Sequence, residues 1–230
     1  MKIITSFMIC FIAITFLSAP LSADEPTIAI LDFENHSFFN PEEYQPMSKG
    51  LAEIMITEFS GIGSIRVVER RKLQALLDEL KLSQAGLTAE DNSIRVGKLL
   101  GARHLVFGGF MVTMDEKIRI DVRIVEVETG LTVKAGEVTG KTKQVLPLVK
   151  KLSQKILRDL QVKLTREESE SFEKSKDYDL KAVLWFSKGI EFEDRGKIHE
   201  AKQCYGRVLQ IEPDFEKAKS RLSALEQKGE

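Results

Sequence analysis

Hydrophobic residues in the middle of the chain follow the period of β-strands. They fill Leu105–Val112 almost continuously, and they occupy every second position from Ile118 to Ile124. The alternation changes phase at Val125, which predicts a β-bulge, and Gly130 lies where a turn needs a positive φ. Residues 101–140 are therefore predicted to form a meander of three strands, whose apolar face needs a cover.

The flanking segments show the period of helices. Apolar residues recur three and four positions apart, which predicts amphipathic helices. These helices are predicted from Met47 to Ser60, around Leu73, Leu76, Leu77 and Leu80, from a capping box at residues 88–91 to Gly101, and from Lys143 to Leu164. Short strands are predicted at residues 27–33 and 65–68, with a long loop over 34–46 between them. This order predicts an α/β domain over residues 24–164, with helices packed on a mixed sheet.

The C-terminal part has a different pattern. Residues 165–178 are rich in charge, which predicts a linker or an exposed helical extension. Beyond them, residues 179–230 resemble a tetratricopeptide repeat, an all-α helical hairpin, followed by a capping helix. The resemblance rests on Trp185, Gly189, Phe192, Ala201, Tyr205 and Pro213, at positions 4, 8, 11, 20, 24 and 32 of a repeat that starts at Ala182. Lys188 and Val208 depart from the pattern, and one repeat alone needs support from the first domain, a second copy or a partner.

The N-terminal residues have the pattern of a secretory signal peptide. Lys2 precedes an apolar segment, and small residues follow up to Ala23, where cleavage is predicted. An uncleaved membrane anchor is the alternative, although the apolar segment is short for a membrane-spanning helix. Cys10 lies inside the apolar segment without a lipobox, so no lipid anchor is predicted.

The composition excludes several classes of function. The chain has 34 basic and 35 acidic residues and a formal net charge of −1, so its overall charge does not favour nucleic acid as a partner. Its three histidines have no metal-ligand spacing, and the sequence contains no phosphate loop, dinucleotide fingerprint or Gly-x-Ser-x-Gly motif. We therefore predict no catalytic residues, no cofactor and no metal, and thus a protein that is not an enzyme.

Several further residues have both a structural and a functional interpretation. Asp32 and Glu34 end the first strand, where catalytic acids can lie, but solvated or capping roles are favoured. Residues 69–72 are interpreted as a solvated helix end, with a contact site as the alternative. His104 is interpreted as a satisfied core or sheet-edge histidine. Cys204 is interpreted as a buried, unreactive thiol, with a disulfide between chains as the alternative.

The α/β part resembles the CsgG/HfaB family of curli and holdfast secretion proteins over about residues 26–164. The resemblance rests on four runs: Arg66–Glu79, Val96–Ala102, Val106–Gly109 and Arg123–Gly130. It implies a periplasmic α/β domain, which in the curli channel carries two membrane hairpins and in related proteins serves non-channel envelope factors. This sequence lacks the lipobox cysteine of the channel members, and its connections at 113–117 and 128–131 are short.

Together these observations predict a non-enzymatic, exported envelope protein that acts as an assembly or scaffold factor. Its CsgG-like domain is expected to self-associate or to join a secretion or surface-structure complex, and its tetratricopeptide unit to bind a protein partner. The alternative is a component of an outer-membrane curli-type secretion channel. The expected location is the periplasm of a Gram-negative-type bacterium, with outer-membrane association left open and no membrane span in the mature chain.

Overall fold

The computed structural model describes residues 25–80, 90–173 and 177–227. The predicted signal peptide with its cleavage site at Ala23 lies outside these residues, as does Thr88 at the start of the predicted capping box. Within the described ranges, no helix combines the length and the hydrophobicity needed to cross a membrane.

A mixed β-sheet forms the centre of the molecule. Its strands are β1 (Thr27–Ile30), β2 (Glu34–Asn35), β3 (Arg66–Val67), β4 (His104–Val112), β5 (Lys117–Glu126) and β6 (Thr132–Lys141). The order is β3-β1-β4-β5-β6, and β2 pairs with β4 beyond the end of β1. The strand β1 runs parallel to both β3 and β4, and β2 also runs parallel to β4. The strand β5 is antiparallel to both of its neighbours, β4 and β6. The predicted α/β architecture with a mixed sheet is thus confirmed.

The three-strand meander has the predicted details. The register between β5 and β6 shifts between Ile124 and Val125, where the phase of the hydrophobic pattern changes. Gly130 has a φ of 74°, as its turn position requires. The first strand is shorter than predicted, because the chain leaves β4 after Ile30 and pairs with it again only at Glu34.

Nine α-helices are present in the described ranges. They are α1 (Pro41–Tyr44), α2 (Met47–Ser60), α3 (Arg70–Glu79), α4 (Glu90–Leu100), α5 (Val145–Asp159), α6 (Arg166–Glu173), α7 (Leu180–Asp194), α8 (Ile198–Ile211) and α9 (Glu216–Gln227). The helix α5 ends before the predicted Leu164, and Gln161 just beyond it has a φ of 59°. The charged segment, predicted as a linker or an exposed helical extension, contains the helix α6, whose Phe172 is buried in the core.

The two faces of the sheet are covered by different helices. One face, with Ile28 and Ile120, belongs to the large core that includes α2 and α5. The other face, with Ala29 and Leu105, packs against α3 and α4 in a smaller core. That smaller cover does not extend over β5, where Arg119 and Arg123 are exposed. One side of the sheet is therefore open next to the edge of α3 and α4.

The C-terminal helices pack against the α/β domain through α2. Val183, Phe186 and Ile190 of α7 belong to the same apolar core as the buried residues of α2. The backbones approach closely at Gly50, where an added Cβ would lie 2.7 Å from the Cβ of Ser187. Of the three supports expected for a single repeat, the first domain provides one in this structure.

Candidate functional site

The interface between α7 and α8 contains three of the six predicted repeat positions. A Cβ added to Gly189 would lie 2.4 Å from Cε1 of Tyr205, so only glycine allows this ring to pack there. Ala201 and Tyr205 are fully buried. Pro213 follows the end of α8 at Ile211. The repeat roles of these residues and the assignment to the tetratricopeptide family stay predictions.

The remaining two positions, Trp185 and Phe192, are only partly buried and carry cations on their rings. The Nζ of Lys188 lies 4.9 Å and the Cζ of Arg207 lies 4.3 Å from the centre of the Trp185 ring. The Nζ of Lys197 lies 5.9 Å from the centre of the Phe192 ring. Lys188, which departs from the repeat pattern, thus has a defined place beside the tryptophan.

These residues form a continuous feature that we call the cationic stripe. It consists of Lys181, Trp185, Lys188 and Phe192 on α7, Lys197 in the turn after it, and Arg207 on α8. The four residues of α7 are spaced at i, i+4, i+7 and i+11, which places them on one face of the helix. Within residues 25–80, 90–173 and 177–227, none of the four cations of the stripe forms an ion pair with a carboxylate.

The opposite face of α7 is charged as well, but its charges are paired with the α/β domain. Asp194 accepts a hydrogen bond of 2.8 Å from the Nζ of Lys49 and another from the guanidinium of Arg70. Glu193 accepts a 2.9 Å hydrogen bond from the hydroxyl of Tyr205 and also pairs with Arg71. The interpretation of residues 69–72 as a solvated helix end is therefore wrong for Arg70, whose side chain is 6% exposed. The guanidinium of Arg70 instead forms ion pairs within the chain, with Asp32 and Asp194.

The helix α9 adds a second set of ion pairs to the same contact. Lys217 donates a 2.9 Å hydrogen bond to Glu58 of α2, and burial lowers the pKa of this lysine. Arg221 pairs with both Glu53 of α2 and Glu193 of α7. The three C-terminal helices are thus fixed on α2 by apolar packing at the centre and by paired charges around it.

A groove of about 930 Å³ lies next to this contact, where the chain bends between β1 and β2, and Glu191 of α7 is among its lining residues. Asp32, Lys49, Phe107 and Gly109 are among its lining residues. The carboxylate of Asp32 is 7% exposed and lies 3.7 Å from the Nε of Arg70. Burial raises the pKa of Asp32, and the nearby positive charges of Arg70 and Lys49 oppose this effect. The expectation of a solvated group is therefore wrong for Asp32, whereas Glu34 is half exposed.

The floor of the groove has little room for side chains. A Cβ on Gly109 would lie 2.4 Å from the ring of His36, and one on Gly108 would lie 1.8 Å from the carbonyl oxygen of Asp121. Both glycines are thus closely packed within β4. No group of three His, Cys, Asp or Glu side chains in the described part of the chain is placed to hold a metal ion.

His104 and Cys204, which were also interpreted from the sequence, belong neither to the cationic stripe nor to the lining of the groove. His104 is half buried, and its Nδ1 has no hydrogen-bond partner among the described residues, so the expectation of a satisfied histidine is wrong for that atom. Burial lowers the pKa of His104. Cys204 is buried, as predicted, and burial raises the pKa of its thiol, which keeps the less reactive protonated form.

Comparison with known proteins supports part of the resemblance found in the sequence. The model of the family described as "Curli production assembly/transport component CsgG" matches residues 13–114. This range covers the first strands and helices of the domain and ends after β4. No curated protein matches the chain.

The chain is also similar to several solved structures at low identity. It shares 16% identity with the LpoB C-terminal domain from Escherichia coli, over 54% of this chain and 89% of that one, with a TM-score of 0.41. It shares 11% identity with the lipoprotein GNA1162 from Neisseria meningitidis, over 60% of this chain and 99% of that one, with a TM-score of 0.43. It shares 15% identity with the PelC dodecamer from Paraburkholderia phytofirmans, over 60% of this chain and 88% of that one, with a TM-score of 0.35.

Proposed function

We propose that this chain is a non-enzymatic, exported protein of the Gram-negative cell envelope that acts as an assembly or scaffold factor. In this proposal the CsgG-like α/β domain joins an envelope complex or associates with its own copies. The C-terminal unit acts as a tetratricopeptide module and binds a protein partner. The match of the CsgG family model to residues 13–114 supports the envelope assignment.

The observation that carries the binding role is the difference between the two faces of α7. One face is buried against α2, with its acidic groups Glu193 and Asp194 paired to basic residues. The other face presents aromatic rings and cations that form no ion pairs within the described ranges. A unit that is docked on one side by packing and ion pairs, and whose cations on the other side form no ion pairs within the described ranges, is suited to present a surface to a partner.

Site-specific photo-crosslinking in cells tests this proposal. A photoreactive residue replaces Lys188 on the cationic stripe, and in a second strain it replaces Lys219, an exposed residue of α9. We expect a crosslinked adduct with one protein, recovered from the envelope fraction, from position 188 and not from position 219. Recovery of the chain in the cytoplasm, or no adduct from position 188, would overturn the proposal.

The non-enzymatic part of the proposal has its own measurement. Purified mature protein is incubated with ester, glycoside, phosphate and peptide substrates that report hydrolysis, beside a protein with Asp32→Asn in the groove. We expect no turnover by either protein. Turnover that the purified protein shows and the Asp32→Asn variant lacks would show that the groove is an active site.

A further inference from the structure

The cationic stripe has the properties of a binding surface for negative charge. Four cations lie along α7, the following turn and α8, and within the described ranges no carboxylate forms an ion pair with them. The contrast with the docked face is informative, because there the acidic side chains of α7 and the basic side chains of the α/β domain neutralise each other. A group of cations that form no ion pairs with carboxylates within the described ranges attracts ligands of the opposite sign.

The aromatic rings give the patch a defined geometry. Lys188 and Arg207 both lie on the ring of Trp185, and Lys197 lies on that of Phe192. Each such contact is attractive, so it restricts long side chains that would otherwise move freely. A carboxylate that binds there loses less side-chain entropy than it would at isolated lysines.

The same contacts argue against a lipid surface as the ligand. Insertion into the membrane interface requires exposed apolar side chains. Here Trp185 and Phe192 are partly buried, and cations cover part of each exposed ring surface. The stripe therefore presents its charges at the surface and keeps its apolar rings beneath them. This favours an ionic ligand that lies on the helix over a lipid bilayer into which side chains insert.

The length of the stripe sets the size of the ligand. From Lys181 to Phe192 the helix rises by about 16 Å. An extended chain advances about 3.3 Å per residue, so about five residues span this distance. We propose that the cationic stripe binds an extended acidic segment, about five residues rich in Asp and Glu, of a protein partner. This inference rests on the proposed function, since it specifies what the C-terminal unit binds.

The only tryptophan of the chain lies in the stripe and can report binding directly. The full mature protein is titrated with a capped hexaglutamate peptide, and with capped hexaglutamine as the uncharged control, by Trp185 fluorescence and by calorimetry. We expect binding of hexaglutamate alone, with an affinity that decreases as salt is added, because exposed charges are screened.

Variants locate the binding site. We expect the double variant Lys188→Gln/Arg207→Gln to bind hexaglutamate at least about tenfold more weakly, since two charge-assisted contacts are lost. Lys202→Gln is the matched control, because it removes one positive charge from α8 at a position about 140° around the helix from Arg207. It should bind nearly as tightly as the unchanged protein. Circular dichroism checks that all variants are folded.

Three outcomes would overturn the inference: equal binding of hexaglutamine, unchanged affinity of the double variant, or stripe-dependent binding to phosphatidylglycerol vesicles without binding to the peptide. The crosslinking experiment separates these outcomes from failure of the proposed function. If position 188 yields a protein adduct but hexaglutamate does not bind, a partner exists and its acidic character is wrong.

Discussion

The contact between α2 and α7 leads to a quantitative prediction for Gly50→Ala. A Cβ at Gly50 would lie 1.8 Å from the Oγ, 2.7 Å from the Cβ and 3.2 Å from the Cα of Ser187. Rotation of the serine side chain can move Oγ, but it cannot move Cβ or Cα. The two helices must therefore separate to accommodate a single added methyl group.

The expected change in the free energy of unfolding combines two opposing effects. Overpacking of a well-packed contact costs about 1–3 kcal/mol. Replacing glycine by alanine inside a helix stabilises it by about 1 kcal/mol. We expect a net destabilisation of up to about 2 kcal/mol for Gly50→Ala. Gly206→Ala is the matched control, because this helical glycine has no atom within 4 Å of an added Cβ. It should gain about 0.5–1 kcal/mol.

Urea denaturation followed by two probes measures this effect. Fluorescence of Trp185 reports on α7, and far-ultraviolet circular dichroism reports on the whole chain. Because α2 and α7 share one apolar core, we expect both probes to give one midpoint, and Gly50→Ala to lower that midpoint for both. Adding Ser187→Gly removes both Oγ and Cβ of this serine. Gly50→Ala should therefore destabilise the Ser187→Gly variant less than it destabilises the unchanged protein, which a double-mutant cycle measures as a coupling energy between the two positions.

Two results would refute this reasoning. If Gly50→Ala stabilised the protein as much as Gly206→Ala does, the close approach of the two helices would be wrong. If the midpoint fell by fluorescence while most of the circular dichroism signal kept its original midpoint, the C-terminal helices would unfold separately from the α/β domain. The boundary at residues 165–178 would then separate two independent folding units.

The structure and sequence support further predictions. Arg70→Leu should reduce the free energy of unfolding by about 3–5 kcal/mol, because it leaves the buried carboxylate of Asp32 without its ion-pair partner. Arg71→Leu should cost less than about 1 kcal/mol, since this side chain is 59% exposed, and equal losses in urea denaturation would contradict this difference. Burial holds the pKa of His104 below 6.5 in the folded state, so the unfolded chain binds its proton more readily. The contribution of neutral His104 to the free energy of unfolding is fully present above about pH 6.5 and decreases as the pH falls through that value. The difference between the free energies of unfolding at about pH 7.5 and about pH 5.5 should therefore be smaller in His104→Gln. N-terminal sequencing of the exported protein should show cleavage after Ala23, and recovery of the uncleaved chain from membranes would favour the anchor alternative.

The sequence by itself determined the elements whose formation depends on local hydrophobic periodicity. The helix Met47–Ser60 has its predicted bounds, and the register shift at Ile124 and Val125 lies where the alternation changes phase. The small residue Gly189 also indicated the close packing of α7 and α8, because only a glycine allows the ring of Tyr205 to approach so closely. In these cases neighbouring positions along the chain carry the information.

Only the tertiary structure decided which charged and aromatic residues are buried, paired or exposed. Arg70 belongs to a charged run that is typical of a solvated helix end, yet its guanidinium meets Asp194, 124 residues later in the chain. Trp185 occupies a packing position of the repeat pattern, but it is partly exposed and lies beneath the guanidinium of Arg207. Both outcomes depend on which face of α7 packs against α2. That orientation is set by the shared apolar core and by the close approach at Gly50, and no local periodicity specifies it.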